Sequence, residues 1–196
     1  GPRWAVGVAA DALPGTYDLT VTATYEWGRS RTHATVTSTV TALVLAPPPG
    51  GEVALSSLEW ASATNGWGPV ERDTSNGEQA AGDGGPITIG GQVYERGLGA
   101  HAPGEILYYL GGRCSSFTTD VGLDDEKTAN GSASFIIQAN NEVVAQSGTL
   151  TVADPAMTLT ADVTGATWLR LVTDPGPTTD SDHTDWAEPT ITCETR

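Results

Sequence analysis

From Thr16 to Ala23 the chain reads TYDLTVTA, so that Tyr17, Leu19 and Val21 fall on one face of an extended strand. Thr35 to Leu45 is rich in Thr and Val, β-branched residues that suit a pleated surface. Beyond the break APPPGGE at Ala46–Glu52, short apolar or alternating runs predict strands at Ile87–Ile89, Ile106–Leu110, Ser116–Val121 and Ser134–Ala139. Further strands are expected at Glu142–Gln146, Thr158–Val163, Trp168–Thr173 and Thr190–Cys193. Phe117, Thr119 and Val121 share a face, as do Phe135, Ile137 and Ala139. Asn140-Asn141 between two such runs signals a tight hairpin, because Asn tolerates positive φ. Short strands at regular spacing, with no convincing helix, imply an all-β sandwich.

The punctuation divides the chain. Residues 46–54 read as a linker, stiff prolines followed by permissive glycines. Residues 1–45, Trp4 included, offer too few strands for a sandwich of about seven, so they read as the end of another β domain. Residues 55–196 carry the sandwich itself.

Charge then narrows the partners. With 24 acidic residues against 9 basic ones the net charge is −15, and such a surface repels phosphate backbones. No apolar run is long enough to suggest a membrane span. Neither nucleic acid nor a membrane is expected as a partner. The cysteines Cys114 and Cys193 lack CxxC character, which argues against zinc or redox chemistry. They form either two buried thiols or a disulfide, the latter worth about 4 kcal/mol for so long a loop in the chain-entropy model.

The candidate chemistry sits in segments that mix aromatic and polar residues. LSSLEWASATNGWGPVERD (Leu55–Asp73), YERGLGAHAPGEI (Tyr94–Ile106), VGLDDE (Val121–Glu126) and SDHTDWAE (Ser181–Glu188) all do so. Rings beside directed donors and acceptors suit sugars, whose C–H faces stack while their hydroxyls need partners. Trp67 lies between two glycines and is displayed by a bent backbone, whereas Trp60 and Trp168 read as core. Trp186 has polar neighbours on both sides, and either touches sugar or caps the core. His101 follows a glycine-rich run that lets a ligand or a strand come close, and His183 stands in the last polar loop. The carboxylates Glu71, Asp73, Asp124, Asp125, Glu126, Asp180, Asp182, Asp185 and Glu188 admit three readings. They form a solvated acidic surface, an oxygen cage for calcium, or a glycosidase acid/base pair. DTSNGE at Asp73–Glu78 lacks the distal Glu of an EF-hand, and no nucleophile elbow or phosphate-binding glycine loop is present.

In this order the four segments resemble the NPCBM domain, the family 51 carbohydrate-binding module found attached to glycoside hydrolases, over roughly Leu55–Cys193. The resemblance implies a galactose-binding-like jelly-roll β-sandwich, preceded by the truncated end of an Ig-like domain. It implies non-catalytic binding of terminal galactose or a galactose-like sugar. The residues expected to serve are Trp67, Glu71, His101, Asp125, His183 and Trp186. Calcium, known in the resembled fold, maps onto Asp73 and Glu188 with backbone carbonyls completing its shell. The parent is expected to be a secreted glycoside hydrolase of the α-galactosidase kind, whose catalytic domain this module targets to its substrate. Two rivals stand beside this reading. One is a glycosidase in its own right, with carboxylates drawn from Glu71, Asp125 and Asp182. The other is a structural or protein-interaction module that binds no sugar.

Overall fold

The computed structural model describes residues 7, 12–27, 32–127 and 130–195, so Trp4 lies outside the described residues. The chain divides into two units, Gly1–Ala46 and Pro47–Arg196. In the first, β1 (Gly15–Trp27) and β2 (Thr32–Val44) form an antiparallel ribbon. Tyr17, Leu19 and Ala23 stand opposite Ala42, Val40 and Val36, while Thr20, Thr22 and Thr24 stand opposite Thr39, Thr37 and Thr35. One face is therefore largely apolar. The other is a threonine ladder with facing hydroxyls 3.4 Å apart.

The second unit begins with β3 (Gly51–Ala54), β4 (Ser62–Thr64) and β5 (Glu71–Arg72). A hairpin of β6 (Ile87–Ile89) and β7 (Gln92–Tyr94) precedes β8 (Gly97–His101) and β9 (Gly104–Tyr109). Next come β10 (Cys114–Leu123), β11 (Ser132–Ala139), β12 (Glu142–Gln146) and β13 (Leu150–Thr151). The unit closes with β14 (Met157–Asp162), β15 (Trp168–Pro175) and β16 (His183–Cys193). One sheet runs β14-β10-β16-β8-β5, with β3 also paired to β16, and the other runs β12-β11-β15-β9-β4, with β13 on β11.

This is the expected all-β jelly-roll sandwich. Phe117, Val121, Trp186 and Ile191 from the first sheet meet Ile106, Tyr108, Phe135 and Leu171 from the second in one buried core. Asn140 and Asn141, at φ 50° and 71°, make the tight turn between β11 and β12. Cys114 and Cys193 face each other across β10 and β16 and are bonded, so they are not two free thiols.

One expectation needs correction. Residues 51–54, read as linker, form β3: β8 covers only His183–Ala187 of β16, and β3 covers the free edge beyond it at Thr190–Cys193. The segment from Asp73 to Arg96 contains the expected strand Ile87–Ile89. It lies as a strap across the outer face of the first sheet, where glycines make room for it. A side chain at Gly97 would run into Ile87, one at Gly99 into the Thr74 and Ser75 backbone, and one at Gly122 into Ile89. Ile87, Ile89 and Tyr94 pack there on Ala187 as a second, smaller core.

Candidate functional site

Strand register builds the centre of the site. β8 and β16 pair so that His101 stands opposite His183, with ring centroids 5.1 Å apart in an edge-to-face arrangement. Both side chains are buried. His101 Nδ1 lies 2.8 Å from the Ala102 carbonyl oxygen, an acceptor only, so in the neutral ring Nδ1–H donates and Nε2 keeps its lone pair. His183 Nδ1 contacts Glu126 Oε1. Burial pushes the His183 pKa down to about 4, so its ring is neutral near pH 7. The Glu126 carboxyl is raised above its usual range, first by burial and then by Asp124.

The Trp67 loop is drawn onto this pair by a glycine. Gly66 donates its N–H to the His101 carbonyl at 3.0 Å. A Cβ at Gly66 would lie 2.7 Å from the Ala102 carbonyl oxygen and 3.1 Å from His101 Nδ1, so no other residue brings the loop this close. Trp67 remains 42 % exposed, and its Nε1–H donates to Glu78 Oε2 at 3.3 Å. Glu78 Oε1 in turn accepts from Lys127 Nζ at 3.4 Å. A ring tethered at its polar edge and left this exposed can serve as a stacking surface.

Asn65 is the hub that sequence reasoning missed. Its Nδ2 lies 2.7 Å from the Trp67 carbonyl oxygen, 3.0 Å from the Pro69 carbonyl oxygen and 2.7 Å from Asn76 Oδ1, acceptors that share its two hydrogens, while its Oδ1 accepts the His101 N–H at 2.6 Å. One side chain thus ties the Trp67 loop, the strap and β8 together. The only signal in the sequence is its place in the polar run Asn65-Gly66-Trp67.

The other expected residues are not all in the site. Trp186 is 1 % exposed and packs edge-on against Phe135 at 5.1 Å, so it belongs to the core. Strand alternation is the reason: His183 and Asp185 point to the strap, hence Trp186 points the other way. Asp125 also needs reassignment. Its two oxygens accept the N–H groups of Gly90 and Gly91 at 3.0 and 2.6 Å, which makes it a brace for the β6–β7 turn. Glu71 is buried in register with Gly99, and its Oε1 accepts the Gly82 N–H at 2.8 Å, so it too braces the strap. Asp182 is buried and accepts the Ser132 N–H at 2.7 Å.

Asp73 directly follows β5 and Glu188 lies in β16, the two strands that flank β8. Asp73 Oδ1 accepts the Gly97 N–H at 3.1 Å, and both residues have left-handed backbones, at φ 58° and 45°. Among the described residues no group of three or more His, Cys, Asp or Glu side chains is placed to hold a metal. A cation between these strands would rest on two carboxylates and backbone carbonyls, an all-oxygen set of the kind calcium takes.

The jelly-roll fold with a loop-borne aromatic and a buried polar pair is that of a small ligand-binding module. The chain belongs to the NPCBM/NEW2 domain family, whose model matches residues 51–192. A protein of Renibacterium salmoninarum that bears the name endo-alpha-N-acetylgalactosaminidase is 37 % identical over 194 residues. That match covers 97 % of this chain but spans only 13 % of the relative's length. The CBM51 module of GH95 from Clostridium perfringens, solved in complex with methyl-galactose, superposes with a TM-score of 0.65 at 34 % identity. It covers 72 % of this chain and 99 % of that one. The CBM51-2 and INT domains of ZmpB from the same organism superpose with a TM-score of 0.65 at 26 % identity, covering 92 % of this chain and 38 % of that one.

Proposed function

We propose that this module binds the terminal galactose-like sugar of a glycan, without catalysis, and directs a secreted glycoside hydrolase to that glycan. The observation that carries the reading is the docking of the loop that bears the exposed, edge-anchored Trp67 onto the His101–His183 pair through Gly66. The ring supplies a stacking face. The His101 Nε2 lone pair supplies an acceptor for the axial hydroxyl that separates galactose from glucose. N-acetylgalactosamine carries the same axial hydroxyl, so parents acting on α-linked galactose or on α-linked N-acetylgalactosamine both suit the site. The complex of the Clostridium module with methyl-galactose and the name of the Renibacterium relative support this class of sugar. A weak module tethered to an enzyme raises local substrate concentration, with effective concentrations near the mM range for short flexible linkers. The Cys114–Cys193 bond supports an extracytoplasmic setting. The ribbon's one apolar face supports its placement as part of an Ig-like neighbour.

The test is calorimetric titration with methyl galactoside, methyl N-acetylgalactosaminide and methyl glucoside. Saturable binding of either of the first two, at least tenfold tighter than the glucoside, supports the reading. No binding of any at mM concentration favours the purely structural module, and turnover of nitrophenyl glycosides would establish the glycosidase.

Calcium belongs to the same proposal as a structural tie. Asp73 and Glu188 would hold it, clamping the start of the strap to β16. Native-state binding stabilises by about 2.7 kcal/mol at a hundredfold excess over Kd. EDTA should therefore lower the melting temperature, and calcium restore it. An EDTA-insensitive melt removes calcium from the account.

A further inference from the structure

Between the strap and the first sheet lie carboxyls that the sugar site does not use. Asp185 projects from β16 onto the covered face and is fully buried, with neither oxygen partnered among the described residues. Asp124 is its diagonal neighbour across the strands, since Asp185 pairs with Gly122 and the Asp124 N–H donates to the His183 carbonyl. Asp124 is itself only 2 % exposed. Its Oδ2 accepts the Thr88 N–H at 3.0 Å and its Oδ1 the Glu126 N–H at 2.8 Å. As ionised groups the two carboxylates would be acceptors alone, side by side on a buried face. One proton between them converts that clash into a hydrogen bond.

We propose that Asp185 and Asp124 share a single proton near neutral pH, and that this protonated pair positions the sugar site by holding the strap and the Glu126 turn against the sheet. Burial drives the Asp185 carboxyl well above the ordinary range, and the Asp124 charge adds to the effect. The mechanical links are all in place. Asp124 holds Thr88 of the strap and the Glu126 backbone, and Glu126 meets His183 Nδ1 and accepts from Ser75 Oγ. The strap also carries Asn76 and Glu78, which bond Asn65 and Trp67. Loss of the proton would set two charges against each other beneath this assembly. The other ionisable groups around the pair are Asp125, Glu126 and Lys127 on the turn after β10, His183 and Asp182 at the start of β16, His101 on β8, Glu71 on β5 and Glu78 on the strap. Carboxylates dominate that set, and their field favours keeping the proton. The positioning step rests on the sugar-binding reading; the shared proton does not.

The D185N variant tests it, because an amide can donate to Asp124 with no charge to lose. The folded pair binds its proton more tightly than Asp185 does in the unfolded chain. The wild type therefore loses stability as pH rises from the ordinary carboxylate range towards the raised value of the pair. The melting temperature of D185N minus that of the wild type should grow by about 3–5 °C per pH unit across this window. Infrared spectra near neutral pH should show a protonated-carboxyl band that D185N lacks. Methyl galactoside affinity should fall at alkaline pH in the wild type and stay level in D185N. Parallel melting curves, or D185N melting lower at every pH, would overturn the shared proton. Melting curves as expected, with no methyl galactoside bound by either protein, would sink the sugar reading and leave the proton standing.

Discussion

Where the strap lies, the outer face of the first sheet is shielded from water as the inner face is, yet the two are built from opposite chemistry. Leu98, Ala100, Phe117, Trp186 and Ile191 fill the inner face, which packs on the second sheet. Glu71, His101, Asp124, His183 and Asp185 fill the outer face, beneath or beside the strap, and all are buried. Within β16 the two alternate residue by residue. Alternation therefore reports which face a side chain takes, and not whether that face meets water. The inner face needs only shape and volume. The outer face needs a partner for every buried donor and acceptor, and that demand fixes geometry closely enough to recognise a ligand.

Removing the largest side chain of the inner face should have the greatest effect. Trp186→Ala is expected to cost about 3–5 kcal/mol, read as a lower denaturation midpoint, because the cavity beside Phe135 cannot refill. A loss below about 1 kcal/mol would mean that Trp186 does not anchor the core. Acid probes the outer face. The folded-state pKa of His183 is depressed from 6.5 to about 4, so the stability it contributes is present above the unfolded value and is lost as pH falls through that interval. The loss amounts to roughly 3 kcal/mol, and His183→Gln should flatten this part of the profile. An unchanged slope in the variant would assign the acid loss elsewhere. Asn65→Ala comes next, at about 1–3 kcal/mol for the donors and acceptors left unpaired. It should weaken sugar binding at the same time, since Trp67 and His101 lose their common tether. Full sugar affinity in this variant would show that the loop holds its shape without the hub.

The sandwich was readable in the sequence because short runs rich in β-branched and aromatic residues recur at regular spacing, as at Ser116–Val121 and Ser134–Ala139. The Asn140-Asn141 turn was readable because its φ values suit Asn. The strap was not. Its 73–96 stretch has no period, and the fit of Ile87 and Ile89 depends on glycines distant in sequence, Gly97 and Gly122. Trp186 was misplaced for the same reason: its polar neighbours suggested a solvent loop, whereas they lie on a face the strap conceals. His101 and His183 could be singled out separately, but their pairing is a matter of register between β8 and β16. Asn65 acts through an amide whose partners are scattered from Trp67 to His101, which no spacing rule reports.

The central claim is that Trp67 and His101 form one sugar site at the edge of the covered face. Calorimetric titration of methyl galactoside into the wild type, Trp67→Ala and His101→Ala, with melting temperatures recorded alongside, tests it most directly. Trp67 is 42 % exposed, so its removal should shift stability by less than about 0.5 kcal/mol while abolishing measurable binding. His101→Ala should reduce galactoside affinity by about tenfold to a hundredfold and bring it close to that for the glucoside. Wild-type affinity in both variants, or binding lost only in proportion to a fall in melting temperature, would contradict the account.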